Sequence, residues 1–177
     1  DPARNMDTIA DVLLEGGKIA KTGIDLLQAE NSEDTAKIKI IELAGMMLTP
    51  GLIDMHTHLR EPGQEYKETV ATGAKAAVAG GFTSIACMPN TDPVNDNRSI
   101  TEFIIRKALE ANLANVYPIG AISRNSAGHQ LTEFWDLKEA GAVALSDDGK
   151  PVMDAALMRH AMEYAWSLGL PVISHCE

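Results

Sequence analysis

From Pro50 onward the chain alternates between short apolar runs and amphipathic stretches, at a step of about 30 residues, the length of one βαβ unit. The spacing predicts strands near Gly51, Phe82, Asn115, Ala142 and Pro171, with a helix between each pair. Ala142-Val143-Ala144-Leu145 and Val172-Ile173-Ser174 are short apolar runs, as expected where helices cover a parallel sheet. In the fourth helix Leu157, Ala161, Tyr164 and Leu168 share one face, behind Asp154 as N-cap and before Gly169 as the stop. In the second, Ile100, Phe103, Ile104 and Ala108 follow Ser99 as cap; Gly80-Gly81 closes the first helix and Gly141 the third.

No glycine-rich phosphate loop follows a predicted strand, since Gly80-Gly81 precedes one. The pattern therefore reads as a (β/α)8 barrel of the TIM type, and not as a dinucleotide fold. Eight strand–helix units take about 250 residues. Residues 51–177 hold only the first five strands and four helices, the N-terminal half of such a barrel. The expectation is an N-terminal fragment of a longer protein.

Residues 1–50 differ from this pattern. Asp11-Val12-Leu13-Leu14-Glu15, Gly16-Gly17 and Lys18-Ile19-Ala20 read as a β-hairpin, and 37–41 and 46–48 as further short strands. So few strands cannot bury a core alone, so this segment is expected to belong to a small β-sandwich domain.

A composition of 45% hydrophobic and 23% charged residues fits a globular chain, and a net charge of −10 argues against nucleic acid or an anionic membrane as partner. No apolar run approaches the ~20 residues of a membrane span. The two cysteines, Cys87 and Cys176, fall in predicted strands; they read as inert core residues in a reducing, cytoplasmic setting.

In a parallel barrel the chemistry sits where strands end. Strand one ends in Asp54-Met55-His56-Thr57-His58-Leu59-Arg60; alternation puts Asp54, His56 and His58 on one face, with Arg60 in phase if the extended run continues. Strand two ends in Met88-Pro89-Asn90, strand four in Ser146-Asp147-Asp148, strand five in Ser174-His175-Cys176. Strand three, ending in Ile119-Gly120-Ala121-Ile122, offers no chemistry. Three of the five histidines thus reach one rim, whereas His129 lies in a polar loop and His160 on a helix.

His56, His58, Asp148 and His175 form a mixed imidazole and carboxylate set suited to zinc, with manganese or cobalt as alternatives. Spread over three strands, they suit one or two ions, with the carboxylate as bridge; such a centre activates water near neutral pH and polarises a carbonyl. Asp-Asp-Gly is equally a good turn sequence, which leaves Asp148 a second reading. Asp54 reads either as a carboxylate orienting an imidazole or as a buried structural aspartate. Arg60 is a natural clamp for a substrate carboxylate, because its planar fork matches two oxygens, and Asn90 could donate to the same group.

Pro-Gly-Leu-Ile-Asp-Met-His-Thr-His-Leu-Arg-Glu-Pro-Gly, Cys-Met-Pro-Asn-Thr and Ser-Asp-Asp-Gly-Lys together resemble the dihydroorotases of the amidohydrolase superfamily, in particular their bacterial type I group. The resemblance runs over nearly the whole chain. It implies that His56 and His58 bind one metal, His175 a second, that Asp148 bridges them, and that Arg60 and Asn90 hold the substrate carboxylate. The implied reaction is the reversible interconversion of N-carbamoyl-L-aspartate and L-dihydroorotate in pyrimidine biosynthesis. Many relatives, including hydantoinases and allantoinases, carry a carbamylated lysine where this chain has Asp148; Lys150 lies two residues further on. A further histidine ligand and the catalytic aspartate are expected beyond Glu177, so the 177 residues alone are expected to be inactive. Alternatives are a hydantoinase- or allantoinase-type cyclic amidohydrolase, and a silent scaffold for aspartate transcarbamoylase. The resemblance also implies a homo-oligomer for the full-length protein and possible association with aspartate transcarbamoylase.

Overall fold

The computed structural model describes residues 1–26 and 38–176, in two compact units, Asp1–Pro50 and Gly51–Glu177. In the first unit β1 (Asp11–Glu15) pairs antiparallel with β2 (Lys18–Gly23). Gly16 and Gly17, both at positive φ, form the two-residue turn whose twist suits a hairpin. A register shift at Leu13/Leu14 marks a bulge.

The strands expected in 37–41 and 46–48 are corrected. Ile38–Ile41 and Met46–Leu48 take no strand conformation, and residue 37 lies outside the described residues. Apolar composition misleads here because a strand needs a ladder partner and a covered face. Ile40, Ile41, Met46, Met47 and Leu48 are all exposed, and the Met46 N–H closes a turn onto the Leu43 carbonyl (2.9 Å).

The second unit is built on a parallel sheet of β3 (Leu52–Thr57), β4 (Phe82–Cys87), β5 (Asn115–Gly120) and β6 (Ala144–Leu145). Strand order follows chain order. Helices α1 (Val70–Ala79), α2 (Arg98–Ala111) and α3 (Phe134–Glu139) connect the strands and α4 (Ala155–Leu168) follows β6. This is the wall of a (β/α) barrel.

Local sequence explains the helix ends. The Asp154 side chain accepts from the Ala156 and Leu157 N–H groups, and Gly169 ends α4 in the left-handed region, as the sequence predicts. Helix α2 starts earlier than expected. Its cap is Asn97 and not Ser99, because the Asn97 Oδ1 accepts from both Ser99 N (3.0 Å) and Ile100 N (3.3 Å). In α1, Thr69 and Thr72 satisfy each other's backbone N–H in a capping box.

The fourth strand is shorter than the run Ala142–Leu145. Pro118 of β5 has no N–H to donate toward it, although the Pro118 carbonyl accepts from Val143 N (3.0 Å), so regular pairing starts only at Ile119 and Ala144. The fifth strand is reduced to a parallel bridge, Leu145 to Val172, closed by Leu145 N to Pro171 O (3.0 Å) and Ile173 N to Leu145 O (2.8 Å). Cys176 therefore lies outside any strand and is exposed, whereas Cys87 is buried at the end of β4. Strand β3 reads as a buried strand by composition, yet Leu52, Ile53 and Met55 are exposed.

Three buried clusters hold the unit together. Phe134, Leu137 and Ile122 pack with Leu145, Ala161 and Ala165 between α3, α4 and the sheet. Leu59, Val70, Ile85, Cys87 and Ile104 fill the space between α1, α2 and β4. Met88, Ile119 and Ala144 form a third cluster across the strand ends.

Candidate metal centre

His56 is the penultimate residue of β3 and His58 lies just past its end, and the two rings meet edge to face with centroids 5.2 Å apart. Asp148 arrives from the end of β6. Its Oδ1 lies 3.1 Å from His56 Nε2 and 3.6 Å from His175 Nδ1, and its Oδ2 lies 3.8 Å from His58 Nδ1. Asp148 is 8% exposed, and a carboxylate so enclosed requires strong partners. The four residues that alternation and strand-end position select are thus in one place.

The set fits a metal ion. Donor atoms of His56, His58 and Asp148 all lie within 4.8 Å of one another. Ligands on a tetrahedral ion at about 2.1 Å stand roughly 3.4 Å apart, so small side-chain movements suffice. Two imidazoles and a carboxylate are the donor chemistry of a divalent ion with an open position. His175 touches the same carboxylate but is not within the three-residue group. His129 and His160 are exposed and do not join it.

Asn90 is placed more deeply than the sequence suggests. Its Oδ1 lies 3.0 Å from His58 Nδ1 and its Nδ2 donates to Asp148 Oδ2 at 2.7 Å. Arg60 is not in phase with the histidines: the extended run stops at Thr57, and Arg60 takes a left-handed conformation, φ +60°. Leu59 goes into the core beside Val70 and Ile85, which turns the chain. Among the described residues, none pairs with the Arg60 guanidinium. Asp54 orients no imidazole; its Oδ1 accepts the His56 backbone N–H (3.0 Å).

The loops around these residues are fastened to each other. Glu61, 8% exposed, accepts the Val70 N–H at the start of α1 (2.8 Å) and lies 3.8 Å from Lys107 Nζ. Asp92 N donates to Pro62 O (2.9 Å), and Gln64 Nε2 to Asn90 O (3.3 Å). Asn95, fully buried, donates from Nδ2 to Ile119 O (2.9 Å) and accepts from Thr101 Oγ1 (2.7 Å). Glu65, at the surface of the same turn, is held below the usual carboxylate range, first by the Gly63 N–H that donates to it. Glu61, Gln64 and Asn95 carry no strand-end signature, and sequence reading passes over them. Burial pushes the Cys87 thiol up to about 12, which fits an inert core cysteine.

The family description "Dihydro-orotase-like" matches residues 45–177. The chain belongs to that family. Its whole length aligns at 60% identity over 179 residues with a dihydroorotase of Syntrophus aciditrophicus, and at 54% over 177 residues with one of Geotalea daltonii. In both cases it spans 40% of the relative. Among solved structures it is similar in fold to the L-hydantoinase (dihydropyrimidinase) from Arthrobacter aurescens. The TM-score is 0.79 at 21% identity, covering 96% of this chain and 37% of that one. For a dihydroorotase-like chain, a strand-end cluster of histidines and a carboxylate on a parallel barrel wall is where chemistry is expected.

Proposed function

We propose that this chain supplies part of the active site of a zinc-dependent dihydroorotase, interconverting N-carbamoyl-L-aspartate and L-dihydroorotate in pyrimidine biosynthesis in the cytoplasm. The observation that carries the reading is the convergence of His56, His58 and Asp148 donors within 4.8 Å, in a chain whose dihydroorotase relatives match it along its entire length. His56, His58, Asp148 and His175 would hold one or two ions, with Asp148 able to face both. A bound divalent ion supplies an acidified water and polarises the scissile carbonyl.

The chain's own residues orient these groups. Asp148 gathers the imidazoles, and Asn90 fixes the His58 ring and one carboxylate oxygen. Arg60, whose guanidinium no described residue engages, is the group offered to a substrate carboxylate. Its fork favours dihydroorotate over neutral rings such as hydantoin. Asn90 stands on the adjoining loop, linked through Gln64, and can share that task.

The test is metal analysis and dihydroorotate turnover on a chain of the relatives' length, beside His56→Ala and Arg60→Met. The expected result is bound zinc and turnover in the parent, loss of both in His56→Ala, and a raised KM with metal retained in Arg60→Met. Turnover of hydantoin without dihydroorotate would overturn the substrate assignment. A parent with neither metal nor turnover would point instead to a scaffold, for which co-purification with aspartate transcarbamoylase is the corresponding assay.

A further inference from the structure

Asp147 and Asp148 are adjacent carboxylates with different surroundings. Asp148 faces the histidines, whereas Asp147, 2% exposed, faces the loop that follows β5. Its Oδ1 accepts the Ser123 N–H (3.0 Å) and its Oδ2 accepts the Ser123 hydroxyl. Ser123 is itself fully buried, and its Oγ accepts the Gly128 N–H (2.8 Å). With that lone pair engaged, the hydroxyl hydrogen is directed to Asp147. The Asp147 carbonyl accepts Lys150 N (2.9 Å), and Ser146 N donates to Gly120 O (2.9 Å). The backbone is therefore pinned on both sides of the residue before Asp148. Asp147 is also satisfied by backbone and hydroxyl donors, and it is not among the grouped donors.

We propose that Ser123 and Asp147 form a brace that aims the Asp148 carboxylate at the histidines. Zinc affinity then depends on a hydroxyl from the strand end that carries no ligand. The proposal rests on the metal reading above. Ser123 and Asp147 are positioning residues, acting through Asp148. A carboxylate that can swing is a poorer ligand than one already pointing at the ion, because its ordering opposes binding. Partners that orient a ligand typically contribute about 10- to 100-fold in metal affinity.

The experiment measures the zinc dissociation constant by chelator competition, with zinc ion as the probe, on a chain of the relatives' length. Parent, Ser123→Ala and Asp147→Asn are compared, together with the thermal midpoint of each metal-stripped protein. Ser123→Ala is expected to weaken zinc binding roughly tenfold or more. Asp147→Asn, which keeps the shape but leaves one acceptor oxygen for the two Ser123 donors, should weaken it in the same direction. In an Asp148→Asn background, Ser123→Ala should change the affinity no further, since the ligand it aims has already been altered. A general loosening of the fold would instead lower affinity in both backgrounds, and that result overturns the brace. Unchanged affinity in both variants of a zinc-binding parent also overturns it, leaving the metal reading intact; a parent that binds no zinc overturns both.

Discussion

Replacing Gly63 with alanine tests whether the two loops that carry Arg60 and Asn90 act as one piece. Gly63 has φ +90°, and a Cβ added there would lie 1.8 Å from the Asp92 carbonyl oxygen and 2.7 Å from its carbonyl carbon. Real Cβ atoms essentially never come within 3.0 Å of such a neighbour, so the two backbones must separate by about 1.2 Å. The obstacle is backbone and cannot swing aside like a side chain. The left-handed conformation adds about 1–2 kcal/mol for a residue with a Cβ. Separation also pulls on the Asp92 N to Pro62 O bond and the Gln64 to Asn90 bond. A displacement of about 1 Å in a positioning group can cost on the order of 10²-fold in rate, and kcat/KM for dihydroorotate is expected to fall by that order. The assay is steady-state kinetics on a chain of the relatives' length, with bound metal measured in parallel. Gly81→Ala is the control: its φ is +84°, yet nothing lies within 4 Å of the added atom, so it carries only the conformational cost. Should Gly63→Ala match Gly81→Ala in kcat/KM, the coupled-loop reasoning is refuted.

Other perturbations have equally definite outcomes. Asn95→Ala leaves the Ile119 carbonyl and the Thr101 hydroxyl short of a buried partner and should cost about 1–3 kcal/mol, read from urea unfolding. Phe134→Ala removes a fully buried ring stacked on Tyr164 at 4.9 Å and should cost about 3–5 kcal/mol in the same assay. A thiol reagent at about pH 8 should label the exposed Cys176 and spare Cys87 until the protein unfolds, because only a thiolate reacts and burial keeps Cys87 protonated up to about 12. Rapid labelling of both cysteines in the folded protein would contradict this.

The gathering of these side chains at one rim was legible because alternation along a strand and position at a strand's end are properties of local sequence. His56, His58, Asp148 and His175 needed only those two rules and the βα period. Arg60 escaped the same rule because alternation fails once the strand stops, and the stop is set by the burial of Leu59 in a cluster built from α1, α2 and β4. Asp54 was read by its phase, but its short side chain turned to the nearest backbone N–H. The apolar runs at 38–41 and 46–48 carry strand composition but pair with no strand among the described residues, and pairing is not encoded locally. The trimmed fourth strand depended on a proline in the neighbouring strand β5, so no residue of the strand itself gives warning. Ser123 and Asn95 were invisible for the same reason, since their partners are chosen by tertiary contact.

The bond from the Val70 amide to the Glu61 carboxylate joins the first turn of α1 to the loop that carries Arg60. Such an amide exchanges with solvent only when the bond opens, and the opening here is that of the loop as much as of the helix. Its deuterium uptake would therefore report, from nine residues downstream, how often the arginine's loop comes free. A ligand that immobilises Arg60 should slow exchange at Val70 without touching it.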